Sequence, residues 1–289
     1  MRPYRTSDLA RSALVRLLLA LDGRTDDLTV VGGLTPPFLT EPVTPPHRGT
    51  ADVDLYLEVG VVYDRDDLTF GWLEAGLRRA GFTPVRDDIA WQWAAHVAGA
   101  AVRLDVLCDA LDSPGRQIAL PGCDALTAMN VAGPGGVGDD RVRRDLPVSP
   151  EDRAAVGLTG DDPSTVTVPF AGLGGYLLTK SAALLGRSAA KDVYDLAFVL
   201  LHSTAGGPEA LARTMLRAVP QRQTVDHLGS FRAALRRLVE TDAADVYAAQ
   251  RVLEGDRTPA AVIAADVVTA ATLCLDALAA PASGDPPAA

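Results

Sequence analysis

The sequence predicts an α/β chain: strands and helices mix (α+β) around a small mixed sheet, and an all-α helical C-terminal region follows. Three observations lead there. Short apolar runs of strand length alternate with amphipathic helical stretches as far as residue 168. From Gly172 onward the apolar spacing is helical almost throughout. Pro281 to Ala289 is a Pro/Ala/Gly tail, expected to be disordered. The expected organisation is an α/β domain over 1–168, a helical bundle over 169–280 that completes the site, and the tail over 281–289.

Taken in order, residues 7–22 read as an amphipathic helix with Ser7 as N-cap, Asp8 in the first turn and Leu9, Leu14, Leu17 and Leu18 on its apolar face. Leu28 to Val31 is a short buried strand. Residues 34–50 hold five prolines and read as a constrained loop with one helical turn after Pro36-Pro37. A strand over 51–59 follows, then a helix over 66–80 closed by Gly81. Strands are expected over 82–86, 90–97 and 102–108. The last alternates, with Arg103, Asp105 and Leu107 on one face and Val102, Leu104 and Val106 on the other. Residues 109–164 are the least legible, apart from short strands and turns, and Thr165 to Val168 reads as a final strand stopped by Pro169. Helices are expected over 173–187, 190–202, 208–219, 226–240, 242–253 and 258–279.

Hydrophobic residues make up 48% of the 289, enough for a sizeable core. No secretory leader and no stretch of membrane-spanning length is expected, so no membrane partner is either. Cys108, Cys123 and Cys274 lack metal or redox spacing, which points to a reduced, cytoplasmic protein. The net charge of −10 argues against a general nucleic-acid coat but leaves room for a local basic groove. Of 27 basic residues only Lys180 and Lys191 are lysine. In so arginine-rich a chain, two lysines eleven residues apart point to a place where a compact ammonium is wanted; chance clustering is the alternative.

The chemistry gathers around Val30-Val31-Gly32-Gly33 and Thr50-Ala51-Asp52-Val53-Asp54-Leu55. Two residues apart on a strand, Asp52 and Asp54 share a face. Paired carboxylates suit a hard divalent cation such as Mg²⁺ or Mn²⁺ together with substrate phosphates. The Gly32-Gly33 turn offers bare backbone N–H groups to those phosphates. Asp105, the other acid inside an apolar strand, reads either as a third metal carboxylate beside Asp52 and Asp54, the reading preferred, or as the partner of Arg103 in an ion pair.

Gly32-Gly33, Asp52-x-Asp54 and Asp105 resemble the signature of polymerase-beta-like nucleotidyltransferases. Thr179-Lys180, Arg187 and Lys191-Asp192-x-Tyr194-Asp195-Leu196 resemble a region of the AbiEii/MenT toxin family within that superfamily, so the likeness covers about residues 28–202. It implies a nucleotidyltransferase fold for the head. It implies that Asp52 and Asp54 hold catalytic metal, that Asp105 is a third carboxylate and the base for the acceptor hydroxyl, and that Lys180 contacts the triphosphate. Asp195 matches the final acidic motif with Asp192 beside it, and Thr50 matches a hydroxyl residue of the site. The activity implied is transfer of a nucleotide from a nucleoside triphosphate, a pyrimidine one favoured, to the 3′ end of tRNA, in a toxin with a cognate antitoxin. A protein hydroxyl or a small molecule such as an antibiotic is the alternative acceptor, and a non-catalytic nucleotide-binding module the alternative class.

Arg187, one helical face with Lys180, extends the cationic side. Asp192 and Asp195 also share a face; for Asp192 a helix N-terminus is a sufficient explanation. Arg48, next to the Asp-bearing strand, is a further phosphate candidate, though exposed loop arginines are ordinary. His47, His96, His202 and His227 show no metal spacing and read as surface or core residues. Trp91 and Trp93 read as core on one strand face, with base stacking as the alternative. Arg213 with Arg217 and Arg232 with Arg236 read as solvated helix faces, or as a stripe for tRNA.

Overall fold

In the computed structural model a mixed nine-stranded sheet separates two hydrophobic cores. The structure describes residues 3–59, 69–86, 89–110, 115–131, 134–187, 189–218 and 226–279. The predicted start of the second helix, at 66–68, and the 281–289 tail lie outside the described residues.

Helix α1 spans Pro3–Ala20 and strand β1 Leu28–Val31. Ser7 does not cap α1. Its hydroxyl accepts from the Thr50 N–H at 3.0 Å, so the helix begins before it. Two short 3₁₀ turns follow at Gly32–Leu34 and Pro36–Phe38, and the chain then reaches β2 (Asp52–Leu57), α2 (Gly71–Arg79), β3 (Thr83–Arg86), β4 (Ile89–Val97) and β5 (Ala100–Cys108). The 109–164 stretch resolves into β6 (Gln117–Ala119), β7 (Thr127–Asn130), a 3₁₀ turn at Pro134–Val137, β8 (Arg141–Pro147) and α3 (Pro150–Ala155). Strand β9 (Thr165–Ala171) runs past Pro169 rather than stopping there. It pairs with β8 along its whole length and meets β1 only at Phe170, beyond the proline.

Every described element after Ala171 is a helix: α4 (Leu173–Arg187), α5 (Ala190–His202), α6 (Pro208–Ala218), α7 (His227–Glu240), α8 (Ala243–Leu253) and α9 (Ala260–Ala279). Contrary to the sequence expectation, α9 is long and apolar enough to cross a membrane by length and composition. It lays Ile263, Val267, Ala271, Cys274 and Leu278 into the core between the helices.

The strand order is β3-β4-β5-β2-β1-β9-β8, with β7 on β5 and β6 on β7. The period-two alternation of β2 and β5 assigns the two faces. Val53, Leu55, Leu57, Val102, Leu104 and Val106 enter the core beneath α1 and α2. Tyr56 and Leu107 turn to the opposite face, against the core built from α4 to α9. Asp52, Asp54, Arg103 and Asp105 have that same parity, so the carboxylates look toward the helices. The proline-rich segment is tied to those helices. The fully buried Arg251 donates to the Pro45 carbonyl at 2.8 Å, and Thr40 bridges to Ser203.

Candidate active site

β2 and β5 run parallel and in register, with Asp52 opposite Arg103 and Asp54 opposite Asp105. Neighbouring strands lie about 4.8 Å apart, so two carboxylates sit side by side on one face. Asp54 has no hydrogen-bond donor among the described residues. Burial raises its pKa; Lys180 and Lys191 oppose this, and Asp52 adds to it. Asp105 is pushed up to about 6, first by burial and then by the charge of Asp54. Its Oδ1 accepts from Gln92 Nε2 at 3.2 Å and from Arg103 Nε at 3.1 Å. The same guanidinium reaches Asp52 Oδ2 through Nη2 at 2.9 Å.

The Gly-Gly turn is dictated by what packs on it. Gly32 has φ +71°, and a Cβ there would overlap the Asp54 carboxylate. A Cβ at Gly33 would strike Thr50, which is buried. Only glycines let the chain turn so close to the Asp-bearing strand.

The opposite wall is the helical pair α4 and α5. Asp140 fixes the start of α4: its carbonyl accepts from the Gly172 N–H at 2.7 Å and its carboxylate from the Gly175 N–H at 2.8 Å. Eight residues after Gly172, Lys180 donates to Asp195 Oδ2 of α5 at 2.6 Å and lies 3.9 Å from Asp192. Burial works against the ammonium, but Asp195, Asp192 and Asp54 outweigh it and hold its pKa above the usual lysine value. Burial likewise works against Asp195, and Lys180 and His47 outweigh it, holding that carboxyl well below the ordinary range. Arg187 grips Asp192 with Nε at 2.7 Å and Nη2 at 2.8 Å, a bidentate pair around a fully buried carboxylate.

His47 belongs to this network. Its Nδ1 accepts from the Gly49 N–H at 3.1 Å, so the proton is on Nε2, which donates to Asp195 Oδ1 at 3.0 Å. Asp195 therefore holds the Lys180 ammonium with one oxygen and the proline-rich loop with the other.

Between the walls lies a cavity of about 600 Å³, a usual size for a small-molecule site. Gly32, Asp54, Asp105, Lys180 and Arg187 line its polar part; Trp91, Leu107, Met129 and Val131 line an apolar part. The sequence-derived candidates are thus partly gathered. Gly33, Thr50, Asp52, Asp192 and Asp195 are not among the lining residues; Asp52 is partly exposed, and the other four are buried. Lys191 Nζ is 3.4 Å from Thr50 Oγ1. Arg48 does not line this cavity: its guanidinium lies 4.6 Å over the Tyr194 ring, bonds Gln250 at 3.0 Å and borders a separate cavity. Trp93 is core as expected, whereas Trp91 borders the cavity.

Asp52, Asp54 and Asp105 lie on one sheet face without forming a single three-carboxylate group. Among the described residues no group of three or more His, Cys, Asp or Glu side chains closes on one point. Asp105 forms the ion pair with Arg103 that the sequence left as the alternative. The remaining donors still suit a hard cation: Asp54 is a carboxylate without a hydrogen-bond donor, and Asp52 has one oxygen beyond the reach of Arg103. His47, Gln92 and Asp140 were not anticipated. No spacing rule marks them, since the partner of His47 is 148 residues away. No known protein family, curated protein or solved structure matches this chain.

Proposed function

We propose that this protein is a metal-dependent nucleotidyltransferase with a polymerase-beta-like head, of the AbiEii/MenT kind, that moves a nucleotide from a nucleoside triphosphate to the 3′ end of tRNA and releases pyrophosphate. The observation that carries the reading is the cavity, with Asp54 and Asp105 on its sheet wall and Lys180 and Arg187 on its helical wall.

Phosphate transfer of this kind needs alignment and charge more than covalent chemistry. Lys180 supplies a compact positive charge toward the phosphates, and Asp195 keeps it protonated and fixed in direction. Arg187, aligned by Asp192, extends the same charge along the cavity. Asp105, with Oδ2 outside its bonds to Gln92 and Arg103, is the acceptor's base, and its raised pKa suits proton transfer near neutral pH. The acceptor hydroxyl gives its proton to Asp105, its oxygen bonds the α-phosphorus, and the bond to the pyrophosphate oxygen breaks. A divalent cation at Asp54 and Asp52, when bound, neutralises charge on the phosphates and the leaving group. Around the cleft the carboxylates of Asp52, Asp54, Asp105, Asp192 and Asp195 outnumber the cations of Arg103, Lys180, Arg187 and Lys191, so a polyanionic substrate needs positive charge brought with it.

The net charge of −10 favours a second acceptor class, a protein hydroxyl or a small molecule. Incubating the protein with Mg²⁺, each α-labelled nucleoside triphosphate, and either total tRNA or cell lysate separates the two. Label on tRNA that disappears in Asp54→Ala supports the first, and label on protein the second.

A further inference from the structure

We infer that Arg103 stands in for one of the two divalent cations that nucleotidyl transfer commonly uses, so that this site takes a single metal ion. The inference rests on the nucleotidyltransferase reading above.

A two-ion site needs carboxylates free to share two cations. Here the strand register sets a side-chain cation among them. Arg103 lies directly across from Asp52 and two residues before Asp105 on the same strand face. Its guanidinium forks, Nη2 to Asp52 Oδ2 at 2.9 Å and Nε to Asp105 Oδ1 at 3.1 Å. One planar group thereby bridges carboxylates on two strands, and arginine does not lose its charge at any physiological pH. Gln92, across from Asp105 on β4, donates to the same Oδ1 at 3.2 Å and holds that carboxylate toward the guanidinium.

Asp54 is different. Lys180, Lys191 and Arg187 act on it through space, but none forms an ion pair with it among the described residues. Their own partners are Asp195, Thr50 and Asp192. The site therefore offers one uncompensated carboxylate, Asp54, with the free oxygen of Asp52 next to it. A second ion bridging Asp52 and Asp105 would have to take the place of the guanidinium. At 45% side-chain exposure Arg103 is not structural filling, and its replacement leaves the core beneath β5 untouched.

Mn²⁺ alone, titrated into the full chain without nucleotide and followed by calorimetry and by the loss of free-ion paramagnetic resonance, tests this. The expected result is one Mn²⁺ per wild-type chain, none in Asp54→Asn, and a second equivalent in Arg103→Met, which removes the charge and keeps an unbranched stem. Two ions on the wild-type chain, or no second ion in a folded Arg103→Met, overturns the role of Arg103 and leaves the nucleotidyltransferase reading standing. No Mn²⁺ on the wild-type chain overturns the single-ion inference, and the nucleotidyltransferase reading then stands or falls on the transfer of α-label. The wild-type stoichiometry decides even if the variant does not fold.

Discussion

Lys180 and Asp195 form a sealed ion pair: Nζ meets Oδ2 at 2.6 Å with the side chains 5% and 0% exposed. Removing one partner strands the other charge, so Lys180→Met should cost about 3–5 kcal/mol. The double change Lys180→Met with Asp195→Leu should recover part of that loss. Denaturant unfolding of the three proteins checks it. The pH dependence follows from the two directions. The folded Asp195 pKa lies below its unfolded value, so its contribution is present above about pH 4 and lost as pH falls further. The folded Lys180 pKa lies above its unfolded value, so its contribution is present below about pH 10 and lost as pH rises through the folded value.

Asp105 carries the opposite sign. With a folded pKa of about 6 it binds a proton more tightly in the folded chain than in the unfolded one. Its own contribution to stability should therefore fall as pH rises from about 4 to about 6, by at most about 3 kcal/mol, while His202, held down to about 4 by burial, contributes with the opposite sign over that window. Asp105→Asn should remove that contribution, read as the difference between the stability–pH curves of the variant and the unsubstituted protein. The Asp105 carboxyl carbon should titrate near pH 6, and Asp54→Asn should move the midpoint down, because the charge of Asp54 is the second cause of the shift. A midpoint in the ordinary carboxylate range for the unsubstituted protein would contradict the paired arrangement.

Gly32→Ala should injure the site more than the fold. The left-handed backbone costs roughly 1–2 kcal/mol with a Cβ, and that Cβ must push the Asp54 carboxylate off its position. Mn²⁺ binding should weaken at least about tenfold, about 1.4 kcal/mol, while circular dichroism stays native. Undisturbed metal binding in this variant would show that Asp54 is not the anchor.

His47→Ala leaves Asp195 Oδ1 without one donor and the Gly49 N–H without an acceptor. Each loss is about 1–3 kcal/mol if water does not replace it. The proline-rich segment should become the first point of limited proteolysis. Cleavage unchanged in site and rate would mean that the loop is held by Arg251 and Thr40 without His47.

Much of this was legible beforehand, and the reasons differ by element. β1, α4 and α5 have the boundaries expected at 28–31, 173–187 and 190–202, because glycines, prolines and a strong apolar period mark them. β8 was hidden: its Arg141-Val-Arg-Arg-Asp-Leu-Pro run buries only Leu146, and pairing with β9 makes the strand. Asp52, Asp54 and Asp105 were found because an acid in an apolar strand stands out. That Arg103 also reaches Asp52 depended on a register that one strand cannot reveal. His47 and Asp140 act through partners on distant elements, so no local pattern announces them.

The most direct test of nucleotidyl transfer is the fate of the two ends of the triphosphate. With Mg²⁺ and tRNA, label on the α-phosphorus should appear on the acceptor and label on the γ-phosphorus should leave as pyrophosphate. Asp54→Asn should abolish transfer without loss of stability, since burial already disfavours that charge. Transfer of the γ label, or α-label transfer that survives in Asp54→Asn, would contradict the account.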